Sequence, residues 1–501
     1  MHLTLSEYCG RACKRKVGRQ TTWLSGRTLW GLLIFLQGTV AASAQGLDSL
    51  QITLGAVGTV AAQPYQPLWL VSNQFGALAD QGMDLATHVR LSNAHVDVEY
   101  NTQGDLIDPR TGLIQVTPPR KGLYLNYGLD VYNHRSFGRT FVQEAFAKAG
   151  YRHWEVRVGA FEDVREEVDP VLSSGSLGIS GNAQPIPQVG LAVTEFTPVP
   201  FTGGWLQFKG GMSHGWLGRQ RWYQHSYLHE KHALLQIGKR RFRLFGGFHH
   251  YAIWGGRRSE QAPADRSTRE FARIVLLRRG TGADQRAVVE GGLSYETAWG
   301  MLRLYHQTPY ELSVATRLLN LDQVTGVSFV PRYADAVLQR LVVEVIYTNY
   351  LQGERYYNDY KYATGWEYQQ RVIGAPLLTN RIRAHHYFPA IVPFSWENTS
   401  GGVPGNDNIV NTRVAGGHLG VVYRLGALFT GKTVLTLVQN YGNNPRSPFY
   451  QKMQSYNLQE ITYCSPHSGF SVSGAIGFDG GELTDNLGVR LSVQQQIRPF
   501  R

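Results

Sequence analysis

The feature that most constrains the fold is a ribbon of alternating apolar and polar residues, seen most clearly at 486–498 near the end of the chain. Its apolar face holds Leu487, Val489, Leu491, Val493 and Ile497, interrupted by Gln495. Successive strand residues point to opposite faces, and about ten tilted residues cross a bilayer. Phe500 follows closely, and an aromatic near the terminus is common in the closing strand of outer-membrane barrels. The ribbon therefore predicts a strand with one lipid face and one polar face.

The same ribbon recurs throughout the chain, for example at 123–131, 154–158, 242–248, 289–296 and 418–425. Some ribbons are joined by tight turns, near Gly150, Lys239 and Gly426. Others are joined by long polar connections at 162–185, 256–268, 351–365, 395–411 and 442–454. Short turns at one end and long loops at the other are typical of membrane barrels. The pattern predicts an all-β, antiparallel transmembrane β-barrel of outer-membrane type, with about 18 strands.

Composition agrees with this fold and excludes others. The chain holds 27 tyrosines and 11 tryptophans, with only 17% charged residues, a mixture that favours strands over helices. The part after residue 44 contains no run of 18 apolar residues, so membrane-spanning helices are not expected. Cys464 is the one cysteine in that part, which excludes an internal disulfide framework. A soluble sandwich also alternates, but an export signal and the aromatic content favour the barrel.

Residues 1–44 have the pattern of a secretory signal peptide. A basic stretch precedes an apolar run at 29–36 and a small-residue cleavage site at 42–44, as export signals require. Its removal takes away six basic residues and one acidic residue, so the net charge falls from +12 to about +7. This weakens a nucleic-acid interpretation. The predicted organisation is a signal peptide (1–44), an N-terminal periplasmic lead-in (45–83) and an outer-membrane barrel with long extracellular loops (84–501).

Charged residues within the ribbons are expected to face the lumen. They carry both signs and comprise Glu155, Arg157, Arg243, Glu290, Glu344 and Arg490. A barrel of about eighteen strands has a lumen wide enough to be wet, so such charges can pair across it. The loop at 172–187 could fold into the lumen, either as a constriction or for stability alone.

Neither metal nor enzyme chemistry has a clear signature. His229 and His232 point to opposite faces of a strand, and the pairs His249-His250 and His385-His386 have the same defect. The serines of the 172–180 loop lack a linked base or a nucleophile elbow. We therefore predict a non-enzymatic protein with no cofactor and no metal.

The best candidate binding stretch is 354–366, where aromatic side chains alternate with polar and charged ones. Its candidates are Arg355, Tyr356, Tyr357, Asn358, Tyr360, Lys361, Tyr362 and Trp366. A second cluster comprises Trp254, Arg257 and Arg258. Aromatic faces beside hydrogen-bonding groups suit sugars, and cations suit acidic polymers. The alternative is an aromatic girdle at the membrane interface, where tyrosine and tryptophan are expected without any ligand.

Several stretches resemble the capsule assembly Wzi family of Gram-negative outer-membrane proteins, in the Bacteroidetes-type form. They are LSSGSLGISGNAQPIPQ (172–188), PFTGGWLQFKGGMSHGWLG (200–218), YLHEK (227–231), FGGFHHYAIWGG (245–256), YYNDYKYATGWEYQQRVIG (356–374) and RIRAHH (381–386). Together with the Trp69 region and the closing strand, the resemblance covers most of the exported chain. It implies a barrel of about 18 strands that attaches capsular polysaccharide without catalysis. The best-known members also carry a small periplasmic helical bundle, which residues 45–83 do not resemble.

The sequence thus predicts a barrel in the outer membrane that binds or anchors capsular or related surface polysaccharide. Its expected partners are that polysaccharide and outer-membrane lipid, without nucleic acid, and it is expected to be a monomer. The alternative is a porin-like channel for small sugars. A third interpretation, an outer-membrane hydrolase, lacks any nucleophile and base at a suitable spacing.

Overall fold

The computed structural model describes residues 50–93, 122–135, 138–163, 166–239, 241–258, 264–278, 280–311, 321–333, 335–350, 356–396, 406–465 and 468–497. Within these ranges, 18 antiparallel strands form one sheet. The sheet strands are β1 (Leu50–Ala61), β2 (Met83–Asn93), β3 (Leu123–His134), β4 (Arg139–Tyr151), β5 (Trp154–Ala160), β6 (Gln188–Pro198), β7 (Leu206–Trp216), β8 (Gln224–Lys239), β9 (Phe242–Arg257), β10 (Asp284–Glu296), β11 (Gly300–Glu311), β12 (Gln323–Pro331), β13 (Leu338–Tyr347), β18 (Arg413–Leu425), β19 (Phe429–Gly442), β20 (Lys452–Cys464), β21 (Phe470–Gly481) and β22 (Asn486–Ile497).

Smaller elements lie in the connections. They are the helices α1 (Leu68–Val71), α2 (Thr268–Val275) and α3 (Arg381–Tyr387), and the short strands β14 (Glu367–Tyr368), β15 (Arg371–Val372), β16 (Thr379–Asn380) and β17 (Ile409–Asn411). None of the helices in the described ranges has the length and apolar character needed to cross a membrane.

The sheet closes on itself between the first strand and the last. β1 pairs with β2 on one side and with β22 on the other, in a register that runs from Ile52 opposite Ile497 to Ala61 opposite Gly488. Closure leaves no unpaired edge, which is what a sheet in lipid requires. The predicted 18-stranded outer-membrane barrel is confirmed.

The first strand corrects the predicted domain boundary. Residues 45–83 were expected to form a periplasmic lead-in, but residues 50–61 are a strand of the barrel wall. The remainder of that stretch, residues 62–82, connects β1 to β2. The signal-peptide prediction for 1–44, together with the predictions for Phe500 and Arg501, concerns residues outside the described ranges.

The two faces of the wall have the expected polarity. In β22, Leu487, Val489 and Leu491 are about half exposed on the outside, whereas Arg490 is 5% exposed on the inside. Charges facing the lumen pair with one another, as predicted. The Arg157 Nε–Glu155 Oε1 distance is 2.7 Å, and the Arg490 Nη2–Glu460 Oε2 distance is 2.9 Å. Pairing inside the lumen lets the wall carry charge beside an apolar outer belt.

The two ends of the barrel differ. Most turns at the end that holds residues 50 and 497 are short, such as 152–153, 297–299 and 426–428, the connection between β2 and β3 being the exception. Most long connections lie at the other end. Exposed aromatic residues gather at the short-turn end: Trp154, Phe201, Trp205, Trp299 and Tyr333. Short turns are periplasmic and long loops extracellular in such barrels. We therefore assign the long-loop end to the cell exterior.

The described residues of three long connections fold into the lumen and form what we call the plug. Its first segment is 62–82, its second comprises 161–163 and 166–187, and its third comprises 348–350, 356–396 and 406–412. The segments bind one another through backbone groups. The Phe75 amide donates to the Gly181 carbonyl at 2.6 Å and the Ser180 amide to the Ile373 carbonyl at 2.8 Å. The Trp366 indole donates to the Gly178 carbonyl at 2.8 Å. The largest cluster of buried apolar residues joins all three segments to the wall. The predicted inward fold of the 172–187 loop is therefore observed.

Carboxylates of the wall hold the second plug segment. Glu344 of β13 accepts the Ser173 hydroxyl at 2.7 Å and the Ser174 amide at 2.6 Å. Within the segment, burial raises the pKa of Glu166. Burial also acts to raise the pKa of Glu167, but Lys209 and Arg303 hold it below its ordinary value. A loop that folds into a barrel needs hydrogen-bond acceptors for its buried backbone amides. Glu344 is such an acceptor for the Ser174 amide.

A closed barrel of this kind predicts a specific gel behaviour. Unboiled protein in dodecyl sulfate should migrate faster than boiled protein, because the closed sheet resists unfolding and keeps the chain compact. Deleting residues 486–497 removes β22 and both of its pairings, so this variant should lose the mobility difference. Identical mobility of boiled and unboiled full-length protein would contradict closure.

Candidate functional site

The aromatic residues predicted to bind sugar lie mostly inside the plug. Tyr356, Tyr357, Tyr362 and Trp366 are at most 5% exposed. The Tyr357 hydroxyl donates to the Leu177 carbonyl, and burial raises the pKa of Tyr357 and of Tyr362 above the ordinary value. These rings contact protein and not the exterior. Their observed contacts hold the plug together, and a role in ligand contact stays a prediction.

Two further residues of this stretch differ in their surroundings. Asn358 is buried, and its amide donates to the Ile409 carbonyl at 2.9 Å while its oxygen accepts the Ile409 amide at 2.9 Å. It therefore clamps two parts of the third plug segment. Tyr360, in contrast, is 70% exposed. Arg355 lies outside the described residues.

The structure brings the two predicted clusters together at the extracellular rim. The Tyr362 hydroxyl donates to the Gly255 carbonyl at 3.2 Å, which joins the third plug segment to the end of β9. Lys361 Nζ donates to the Gly282 carbonyl at 2.7 Å and lies 5.7 Å from the ring centre of Tyr223. Tyr223 belongs to the β7–β8 turn, so four chain segments meet here. These four segments are far apart in the sequence, so the sequence did not indicate that they meet.

An arginine cluster surrounds this meeting point. Arg219, Arg257 and Arg266 are exposed, and all three lie within electrostatic reach of His225. Among the described residues, no carboxylate lies within ion-pair distance of these three guanidinium groups. We call Arg219, Tyr223, His225, Arg257, Arg266, Tyr360 and Lys361 the rim patch. Its three exposed guanidinium groups are available to an anion from the exterior.

Arg258 and Trp254 are buried next to the rim patch in sequence and pack against aromatic rings. The Arg258 guanidinium carbon lies 3.4 Å from the ring centre of Trp222, and Arg258 is 3% exposed. Trp254 is 5% exposed, with its ring 5.2 Å from that of Tyr227 and 5.4 Å from that of Phe271. Both residues are structural in this arrangement, while Arg257 alone of this predicted cluster is exposed.

The helix α2 and the β7–β8 turn are fixed by specific contacts. Ser267 caps the helix by accepting the Glu270 amide at 3.1 Å, and Lys231 Nζ donates to the Ile274 carbonyl at 3.3 Å near its end. In the turn, Arg221 Nη1 donates to the Glu367 carbonyl at 3.1 Å, and burial lowers the pKa of Arg221 to about 10. The exposed cations are therefore presented from an ordered base.

The remaining sequence candidates show no catalytic arrangement. His229 faces outward beneath Phe271, at a ring distance of 5.3 Å, while His232 faces inward beside His249. Their opposite directions agree with the prediction. The Ser173 hydroxyl donates to Glu344 and the Ser180 hydroxyl to the Gly374 carbonyl. These serines secure the plug, and histidine is not their partner in the described part of the chain.

Arg219 and Arg266 are not among the residues that the sequence predicts to bind ligand. A signal for the first was present, because residues 219–225 (RQRWYQH) alternate basic and aromatic side chains much as 354–366 do. Arg266 gives no local signal. Its side chain reaches the patch because it lies over Gly255, where an added Cβ would meet the Arg266 Cγ at 3.0 Å.

The fold and the rim patch define a plugged β-barrel of the outer-membrane class. No family model matches the sequence, and no curated protein matches it either. Among solved structures, Wzi, a carbohydrate-binding barrel involved in group 1 capsule assembly in Escherichia coli, is similar with a TM-score of 0.54 and 10% identity, covering 92% of this chain and 87% of Wzi. At this identity the likeness shows the fold alone.

Porin structures are also similar. Pseudomonas aeruginosa OccK5 (OpdH) has a TM-score of 0.45 and 11% identity, covering 90% of this chain and 99% of that chain. OccK2 (OpdF) of the same species, solved in complex with glucuronate, has a TM-score of 0.45 and 10% identity, covering 90% and 97%. The closed 18-stranded barrel fold of this chain, which Wzi shares, indicates an outer-membrane location.

Proposed function

We propose that this protein binds capsular or related surface polysaccharide at the outside of the outer membrane, without catalysis, as a monomer of the capsule assembly Wzi type. The observation that carries the proposal is the rim patch. It combines exposed cations with the exposed ring of Tyr360, at the end of the barrel that we assign to the cell exterior.

The chemistry of the patch favours an acidic polymer. Arg219, Arg257 and Arg266 can donate forked hydrogen bonds to carboxylates. Tyr360 and Tyr223 offer faces on which the C–H surface of a sugar ring can stack. A polymer repeats its charges, so weak contacts at successive units add through multivalency. A polysaccharide with a carboxylate in each repeat is therefore the expected ligand class.

The plug argues against the alternative, a porin-like channel for small sugars. The three plug segments join one another by backbone hydrogen bonds and occupy the lumen of the described barrel. In planar bilayers we expect no stable open conductance from the purified protein. A stable conductance with sugar-dependent block would favour the channel and count against a plugged binding barrel.

Loss of the protein should release polysaccharide from cells. In a strain without this protein, we expect cell-associated polysaccharide to fall and shed polysaccharide to rise by several-fold, with total production unchanged. Complementation with the natural chain should restore retention, whereas a chain with Arg219, Arg257 and Arg266 replaced by glutamate should not. Unchanged retention in the deleted strain would overturn the proposal.

A direct binding assay separates polysaccharide from the other anionic partner available at this location. Purified protein in detergent is tested against an acidic polysaccharide, its carboxyl-reduced form and vesicles that contain phosphorylated glycolipid. The proposal requires tight binding to the acidic polymer and weaker binding to the reduced form. Binding to the vesicles alone would overturn it in favour of a lipid-docking surface.

A further inference from the structure

A second cluster of functional side chains lies inside the lumen wall, away from the rim patch. Glu230 and His232 are two residues apart on β8, so both face inward. The register places His232 opposite His249 of β9, and their rings are stacked with centres 5.1 Å apart. One ligand atom from each of Glu230, His232 and His249 lies within 4.8 Å of the others. Three potential ligands thus converge on one point.

The orientation of His249 is set by a carboxylate behind it. His249 Nε2 lies 2.6 Å from Glu290 Oε1. Glu290 Oε2 in turn accepts the Glu167 amide at 3.0 Å and the Gln307 side-chain amide at 3.1 Å. The network thus places the ring proton on Nε2 and leaves a lone pair on Nδ1. Metal-bound histidines have this carboxylate partner on the ring nitrogen that does not bind the metal.

The other nitrogen of His249 is buried and lacks a partner. His249 is 0% exposed, and its Nδ1 has no hydrogen-bond partner among the described residues. A buried nitrogen without a partner costs free energy unless something binds it. This observation is independent of the convergence of the three side chains, and it calls for a ligand on His249.

The cluster borders a small cavity and has a suitable charge. Glu230 lines a cavity of about 40 Å³, shared with Asp163, Gln188 and Ser213. Glu290, Glu166 and Glu230 lie within electrostatic reach of His249, which favours a cation at this point. The cavity has room for a water molecule at a fourth coordination position on the side of Glu230.

We propose that Glu230, His232 and His249 form a binding site for one divalent transition-metal ion, with zinc as the preferred ion. Two imidazoles and one carboxylate suit zinc, whereas calcium and magnesium prefer oxygen ligands alone. Glu290 is a positioning residue that acts through His249. The ion would link β8 and β9 behind the second plug segment, which contacts Glu290 through the Glu167 amide.

The test uses the full-length protein in detergent, without a histidine tag, after chelator treatment and dialysis. Zinc binding is measured by calorimetry, and cobalt binding by visible absorption, which reports tetrahedral coordination. We expect about one ion per chain and an intense visible cobalt band. Replacing His249→Ala or His232→Ala should weaken affinity by at least about 100-fold, and Glu290→Gln by about 10- to 100-fold.

The matched control is His250→Ala. His250 follows His249 directly but faces outward, and its Nε2 lies 3.1 Å from Gln285 Oε1. This variant should bind zinc as the natural chain does. If the alanine variants fail to fold, the cobalt spectrum of the natural chain and the Glu290→Gln variant still decide the matter. Absence of a stoichiometric ion, or an equal loss of affinity in His250→Ala, overturns the proposal.

Discussion

Replacing Arg219, Arg257 and Arg266 with glutamate is expected to weaken binding of an acidic polysaccharide by about 10- to 100-fold at low salt. Each exposed ion pair contributes about 0.2–1 kcal/mol, and every reversal also adds repulsion. The natural chain should lose affinity as salt rises, because exposed charges are screened within about 10 Å at 0.1 M. The variant should show little salt dependence. Affinity is measured by surface-immobilised polymer at several salt concentrations.

The control for this experiment lies at the same end of the barrel. Arg139 and Arg446 are exposed on strands and loops outside the rim patch, so the variant R139E/R446E changes the net charge with the patch intact. It should retain polysaccharide binding close to that of the natural chain. Equal loss in both variants would mean that overall charge, and not the patch, attracts the polymer.

Residues such as those of β22 could be assigned from the sequence because the membrane sets their pattern directly. Lipid outside and polar groups inside force strict alternation, and Leu487 and Arg490 obey it. β1 is different, since Val57 faces inward against the plug cluster and Gly58 faces outward. Gly55 must also lack a side chain, because a Cβ there would lie 2.0 Å from His88 Nε2. Because the inner face of β1 packs against the plug, its sequence lacks the alternation of apolar and polar residues. The sequence therefore predicted a lead-in and not a strand.

Ligand binding by the stretch at 354–366 stays a prediction, but most of its aromatic side chains lie inside the plug and not at the surface. Polar loops rich in tyrosine ordinarily lie on the outside. Here the loop turns inward, and Trp366 reaches the Gly178 carbonyl of another loop at 2.8 Å. Whether a loop enters the lumen depends on hydrogen-bond acceptors in distant strands, such as Glu344. The local sequence of the loop does not indicate where those acceptors lie.

The cluster proposed to bind metal also depends on contacts between residues that are distant in sequence. His229 and His232 point to opposite faces, so the sequence alone predicts no metal site at this pair, and the structure has the same geometry. The converging set needed His249, which reaches His232 only through the pairing of β8 with β9. Register between strands fixes such sets, and a one-residue shift would separate them.

Replacing Glu344 with alanine is expected to loosen the plug and create a channel. Glu344 is 1% exposed, and it accepts hydrogen bonds from Ser173, Ser174 and the Tyr305 hydroxyl. Each buried donor left without an acceptor costs about 1–3 kcal/mol. Adding Glu166→Ala removes the acceptor of the Ile179 amide as well. The double variant should show stable conductance in planar bilayers and rapid proteolysis within 161–187.

Glu482→Ala is the matched control, because this carboxylate also accepts a backbone amide, from Met453 at 2.7 Å, but lies exposed at the rim. It should stay silent in bilayers. Glu344→Gln keeps an acceptor oxygen and should give a smaller effect than alanine. A silent, protease-resistant Glu344→Ala/Glu166→Ala variant would show that these carboxylates do not hold the plug.

Polysaccharide binding by the double variant tests whether the plug also positions the rim patch. The rim patch rests on the third plug segment through Lys361 and Tyr362, so a loosened plug that also loses the polymer means that the plug positions the patch, and retained binding means that the rim loops order it alone.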